Sequence, residues 1–286
     1  MNIPPVWVKA ESHGRTPDGR TIPVHVWGWG NDATAARTTA EERLQPLLAR
    51  LSRGEPFPNK YGYGEVRPLR EEILQRIPDK GSDAPAAIIT RNSYGAQILN
   101  TASLLFLDID FAPRPTSLVQ RLLRLFGAGG GEEKTEETFL ADLYARLRLQ
   151  SRTTFRVYRT AAGFRVIAVD RAFDPAGQET QALMAATGTD PAYARLCRAQ
   201  RSFRARLTPK PWRCGSSTPP GRHPRQSERQ QNYFDSWLAQ YTRIAGNYAT
   251  GRYLATVGNG QSTEMAGQLI ELHDRLSRCQ EPLPLA

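Results

Sequence analysis

The apolar period changes several times along the chain. Residues 5–10 and 21–29 carry Val, Ile and Trp in near alternation, the period of a half-buried strand, and Thr16-Pro17-Asp18-Gly19 between them reads as a turn. From 33 to 51 the residues Ala36, Ala40, Leu44, Leu47, Leu48 and Leu51 recur at helical spacing and predict a helix. A Gly/Pro/Tyr-rich loop is expected over 54–64 and a short helix over 69–76. Two continuous apolar runs follow, one at 86–90 and one at 103–110, where Leu104-Leu105-Phe106-Leu107 ends in Asp108-Ile109-Asp110. An apolar run that ends in charge predicts a central strand, buried on both faces, that surfaces at its C-terminal end. Beyond it the pattern predicts a helix at 116–126, a glycine-rich connector at 127–133 and a helix at 136–149. A hairpin of strands 153–159 and 163–169 then turns at Thr160-Ala161-Ala162. Helices at 178–186 and 191–200, a strand at 203–208, a polar, basic surface loop at 216–230, a helix at 233–245, a strand at 252–257 and a helix at 263–276 complete the chain. Strands and helices interleave without an internal repeat, so the class is α/β or α+β.

Composition narrows this picture. With 286 residues and an apolar fraction of 40%, the chain can bury a sizeable core without staples, and its aromatic content of 9% argues against a disordered or fibrous chain. No apolar run reaches the roughly 18–20 residues of a bilayer span. Residues 1–9 lack the basic start and apolar stretch of a secretory leader. Cys197, Cys214 and Cys279 make an odd count without metal-ligand spacing, so a reducing cytoplasm is the expected location.

Charge changes the picture more. Lys plus Arg is 38 against 28 acids, a net charge of +10, and Lys9, Lys60, Lys80, Lys134 and Lys210 are the only lysines. Guanidinium forks match the paired oxygens of phosphate, so the balance points to polyanionic partners, although a GC-rich genome would give the same arginine usage.

Three features carry candidate chemistry. Side chains two apart on a strand share a face, so Asp108 and Asp110 point the same way, and carboxylates that close repel unless a cation sits between them. Mg²⁺ or Mn²⁺ suits such oxygens, while the alternative is a strand end that opens the next turn. The hairpin turn Ala161-Ala162-Gly163-Phe164-Arg165 would let backbone amides approach a ligand, with Arg159 or Arg165 holding phosphate, or it is an ordinary hairpin. Residues 195–229 hold ten cations against one acid, Glu228, with Phe203 and Trp212 among them. That mixture suits a single-stranded or templated nucleic-acid groove. Arg204 and Arg206 share one strand face there, and Lys210, Trp212 and Arg213 follow, whereas 222–229 reads as a solvated face. The histidines are scattered, no Ser or Cys sits in a nucleophile elbow, Trp27-Gly28-Trp29 reads as core or turn ahead of a surface contact, and the stripe Trp237, Tyr241, Ile244 and Tyr248 reads as core.

Together these residues resemble the archaeo-eukaryotic primase (primase-polymerase) superfamily, over roughly residues 86–213. The signatures in order are the apolar strand with Asp108-Ile109-Asp110, the small-residue turn and strand Ala162-Gly163-Phe164-Arg165, and Asp190 in Gly188-Thr189-Asp190 before the Arg-bearing strand 202–206. The family has His where this chain has Arg165, and Asp170 rivals Asp190 as third acid. The resemblance implies an α+β fold with an RRM-like palm over 86–215, an N-terminal module at 1–85, and a basic loop and mostly helical segment at 216–286. It further implies that Asp108, Asp110 and Asp190 hold Mg²⁺ or Mn²⁺ as the catalytic acids. Gly163, Arg165, Arg204 and Arg206 would bind a nucleoside triphosphate, and Arg159, Lys210, Trp212 and Arg213 would bind DNA or RNA. A primase-like module that binds nucleic acid without turnover is the competing expectation, and an Asp-x-Asp phosphatase a more remote one.

Overall fold

The computed structural model describes residues 1–56, 67–111 and 135–286. Within these residues the chain is a mixed α+β fold of ten strands, arranged in three antiparallel sheets, with six α-helices. None of these helices is long and apolar enough to cross a membrane.

The N-terminal pattern resolves into a hairpin and a helix. Strands β1 (Val6–Arg15) and β2 (Thr21–Gly30) pair from Val6 opposite Gly30 to Arg15 opposite Thr21. Helix α1 (Ala33–Ser52) starts where the Asp32 carboxylate accepts the Ala35 amide at 2.8 Å, satisfying one of the orphan donors of the first turn. Val24, Val26, Leu44 and Leu51 form a small core between hairpin and helix. A Cβ on Gly28 would fall 2.1 Å from the Ala40 nitrogen, so only glycine lets the helix backbone rest on β2.

The rest of the chain builds two four-stranded sheets. Strands β3 (Glu72–Asp79), β4 (Ser82–Arg91) and β5 (Gln97–Thr101) form one sheet. Strands β6 (Phe106–Asp110), β7 (Phe155–Thr160) and β8 (Gly163–Ala168) belong to the other. Strand β9 (Phe203–Arg206) completes the first in the order β3-β4-β5-β9, and β10 (Arg252–Val257) completes the second in the order β10-β7-β8-β6. Five helices interleave with them: α2 (Glu136–Arg148), α3 (Gln178–Thr187), α4 (Pro191–Gln200), α5 (Glu228–Ala245) and α6 (Glu264–Leu276). One continuous apolar cluster joins both sheets, running from Leu99, Phe203 and Ala205 through Phe106, Leu107, Phe155 and Val166 to Leu269 of α6.

Three expectations need correction. The helix expected over 69–76 is strand β3, because Ile73 and Ile77 pair opposite Thr90 and Ala87; a segment with apolar residues at 73, 74 and 77 satisfies both periods, and the open edge of β4 decides. The strand expected over 103–110 begins at Phe106, and it lies at the edge of its sheet rather than at the centre, pairing with β8 alone. It is buried nonetheless, because β9 and the chain at Asp190 lie along its free side, where the Asp190 amide donates to the Asp108 carbonyl at 2.9 Å. Strand β5 has no counterpart in the sequence pattern. The helix expected at 116–126, the connector at 127–133 and most of the loop at 54–64 lie outside the described residues.

Candidate phosphate and metal site at the seam of the two sheets

Strand β6 places the Asp108 and Asp110 carboxylates on one face, both half-buried, while Leu107 and Ile109 point into the core. Across the ladder Arg165 stands opposite Asp108 and Gly163 opposite Asp110. A Cβ on Gly163 would fall 2.0 Å from the Ile109 carbonyl oxygen, so glycine there serves the close approach of β6 to β8. Asp190 caps α4: its Oδ1 accepts the Ala192 amide at 2.8 Å, and its own amide bonds the Asp108 backbone. The fold thus sets Asp190 beside β6. Asp170 lies beyond the far end of β8, where its Oδ2 accepts the Thr154 amide at 2.7 Å. The three acids Asp108, Asp110 and Asp190 do not close to ligating distance as a set. Among the described residues, the only trio of potential ligand atoms lying within 4.8 Å of one another belongs to His273, Asp274 and Cys279.

That trio adjoins Arg165. The buried Arg165 guanidinium donates through Nη1 to the Arg206 carbonyl at 3.0 Å and to His273 Nε2 at 2.9 Å. Burial pushes the His273 imidazole down to about 4, with the Arg165 charge adding to it and the Asp274 hydrogen bond opposing it. The ring is therefore neutral, and since arginine only donates, Nε2 is the acceptor and Nδ1–H donates to Asp274 Oδ1 at 2.9 Å. Asp274 Oδ2 then accepts from Arg156 Nη2 at 2.9 Å, and Arg156 Nε donates to the Tyr158 hydroxyl at 2.8 Å. This chain of bonds ties α6 to β7 and β8. The spacing of His273, Asp274 and Cys279 could hold a metal ion. Here both imidazole nitrogens are engaged, and burial pushes the Cys279 thiol up to about 12.

The cations of the seam lack carboxylate partners. Arg206 sits against Arg165, with its Nε buried and unbonded. Burial, the Arg165 charge and the Arg213 charge push its guanidinium down to about 10, and the Asp108 carboxylate works in the opposite direction. Among the described residues no ion pair joins Arg165, Arg206 or Arg213 to an acid, and no hydrogen bond or ion pair engages the Asp108 carboxylate. Clustered guanidiniums without counter-ions, beside an open carboxylate, form an environment for phosphate oxygens with a hard cation between the opposite charges.

Other predicted ligand-binding residues are already occupied. Arg204 pairs with Glu71 at 2.7 Å and with Asn100 Oδ1 at 2.6 Å, in a buried network that Thr90 closes. Arg159 forms an ion pair with Glu136 and lies 4.3 Å over the Phe111 ring. Trp212 is half-exposed on a 3₁₀ turn (Pro211–Arg213), with Lys210 over its ring at 5.7 Å and Tyr94 edge-on at 5.4 Å. The pattern of the sequence missed His273 and Asp274: His273 lies 108 residues beyond Arg165 and Asp274 follows it on an amphipathic helix, and only the docking of α6 brings them to it. No family model, curated protein or solved structure matches this chain, and its functional reading rests on the geometry of this seam.

Proposed function

We propose that the chain binds a nucleoside triphosphate and nucleic acid at the β6–β9 seam and acts as a primase-polymerase-like nucleotidyltransferase with Mg²⁺ or Mn²⁺, the sheet β10-β7-β8-β6 serving as its palm. The observation that carries this reading is the group Arg165, Arg206 and Arg213, which have no acid partner among the described residues and flank the open Asp108 carboxylate. The donor chemistry fits a hard cation. Asp108, Asp110 and Asp190 offer oxygens, Asp108 has no competing protein partner, and Asp190 gives only Oδ1 to its helix. When bound, such an ion neutralises the phosphates against the carboxylates and withdraws charge from the phosphoryl oxygens. Arg206 and Arg213 hold the phosphate chain electrostatically. Arg165, fixed by His273, supplies a positive charge at the family's histidine position at every physiological pH. Lys210, Trp212 and Arg213 meet the nucleic acid at the mouth.

Incorporation of labelled nucleotide on primed and unprimed templates tests the proposal. Asp108→Ala is expected to lower Mn²⁺-supported incorporation by ~100-fold or more. Incorporation equal to wild type removes the acid from the reaction. A second reading, a module that binds without turnover, is favoured by the separation of the three acids and by arginine at position 165. Isothermal titration separates the two. Nucleic-acid binding indifferent to Mn²⁺ and triphosphate supports the module, and mutually dependent binding supports the enzyme.

A further inference from the structure

The N-terminal hairpin covers one face with α1 and turns the other toward a second cleft. The strand register sets Trp7 opposite Trp29 and Lys9 opposite Trp27, all on the face away from the helix. A cavity of about 300 Å³ opens there, lined by Trp7, Trp27 and Trp29, with Arg43, Arg70 and Arg222 among its cations. Arg43 lies 4.6 Å over the Trp29 ring and Arg70 lies 4.2 Å over the Trp27 ring. The only acid in the lining is Glu71, and its two oxygens are taken by Arg204 and Thr90. Arg70 and Arg222 press on one another electrostatically, and neither forms an ion pair among the described residues. The Trp7 Nε1–H is buried and has no acceptor. Trp27 and Trp29 are half-buried, each with a guanidinium over its ring.

The cleft also leads somewhere. Ser93 is in its wall, and the neighbouring Tyr94 meets Trp212. Lys210 lies over Trp212, and Arg213 follows it toward Arg206 and Asp108. Aromatic rings, half-buried at the hairpin and exposed at Tyr94 and Trp212, thus alternate with cations from the hairpin toward the seam.

We propose that the tryptophan cleft captures a single strand of nucleic acid, with bases on the indole faces and phosphates on Arg70 and Arg222, and feeds it past Tyr94 and Trp212 to the β6–β9 seam. The destination of the strand rests on the nucleotidyltransferase reading, whereas its capture in the cleft does not. Stacking needs the base faces, which a duplex hides, so a single strand is the form that the rings and guanidiniums select together. The proposal covers a deoxyribose and a ribose strand alike.

Fluorescence anisotropy with labelled dT and U oligonucleotides of about 20 residues, and with a duplex of equal length, tests this on the full chain. Trp27→Ala is expected to weaken single-strand binding by roughly 5- to 100-fold, and Trp27→Phe, which keeps a ring, by much less. Arg70→Ala should lower the slope of log affinity against log salt by about one. Should Trp27→Ala not fold, Trp27→Phe and Arg70→Ala carry the test through the ring and the salt slope. The proposal is overturned if wild type binds no oligonucleotide, if it prefers the duplex, or if Trp27→Ala and Arg70→Ala both bind like wild type. If Trp27→Ala loses binding while wild type incorporates no nucleotide, the cleft stands and the enzyme reading falls. The cleft alone falls if Asp108→Ala loses incorporation while Trp27→Ala and Arg70→Ala both bind normally.

Discussion

Arg204 and Glu71 are both buried, and their charges meet at 2.7 Å with Asn100 and Thr90 completing the bonds. Removing one member of such a pair strands the other in a medium that cannot solvate it. Glu71→Ala is therefore expected to lower stability by ~3–5 kcal/mol, read from the urea midpoint, and an unchanged midpoint would show the network to be unimportant. Arg206 presents the opposite case. Its Nε is buried without a partner, and burial with the Arg165 charge already disfavours its protonated form. Arg206→Met keeps the stem and removes the uncompensated charge, so melting without ligand should stay level or rise. Pyrophosphate should raise the melting temperature of wild type and have little effect on the variant. An equal pyrophosphate shift in both proteins would place the anion elsewhere.

Two glycines set how closely elements approach. At Gly28 the helix backbone occupies the space of a side chain, and at Gly163 the β6 carbonyl does so. Adding a methyl group forces backbone to move, as in other overpacked sites, at a cost of roughly 1–3 kcal/mol or more. Gly28→Ala is expected to loosen α1 from the hairpin. Gly163→Ala is expected to push β6 from β8 and displace Asp110 from its register. Amide hydrogen exchange distinguishes them, the first variant losing protection in 21–52 and the second in 106–110 and 163–168. Helix starts, by contrast, are set locally. Asp32, Thr135, Asp190, Ser227 and Thr263 each accept a first-turn amide.

Docking of α6 across the sheet gives the molecule its expected pH response. His273 is completely buried and neutral, its pKa held near 4, against 6.5 for the free side chain. Between those values the unfolded chain binds a proton that the folded chain refuses, so stability rises with pH across the window. The full contribution is present above about pH 6.5 and is lost as pH falls toward 4, roughly 3 kcal/mol over that span. Denaturant unfolding at several pH values should show this slope, and His273→Gln should flatten it. A wild-type midpoint constant between pH 6.5 and 4 would mean that the ring is reached by water. Because the folded chain keeps the ring neutral until pH nears 4, the Arg165 bond should persist across this interval and fail only below it.

Much of the architecture is written in local pattern. The hairpin 6–30, helix α1, the hairpin 155–168 and the four helices from 178 onward follow from apolar period, turn residues and caps, signals that act within a few residues, although α5 starts at Glu228, inside the loop expected over 216–230, rather than at 233. The pair Asp108 and Asp110 was legible for the same reason, since a strand ending in charge fixes their common face. Where local pattern was degenerate, pairing decided: Ile73 and Ile77 fit either period, and the edge of β4 made a strand of them. Long-range contacts also assigned roles that residue type could not. Arg204 and Arg206 share a strand face, yet Glu71 pairs with the first and leaves the second without an ion pair. His273 reaches Arg165, and three tryptophans meet Arg70 and Arg222, across separations that no periodicity encodes. Which charges remain uncompensated depends on partners that only the folded chain brings within a few ångströms.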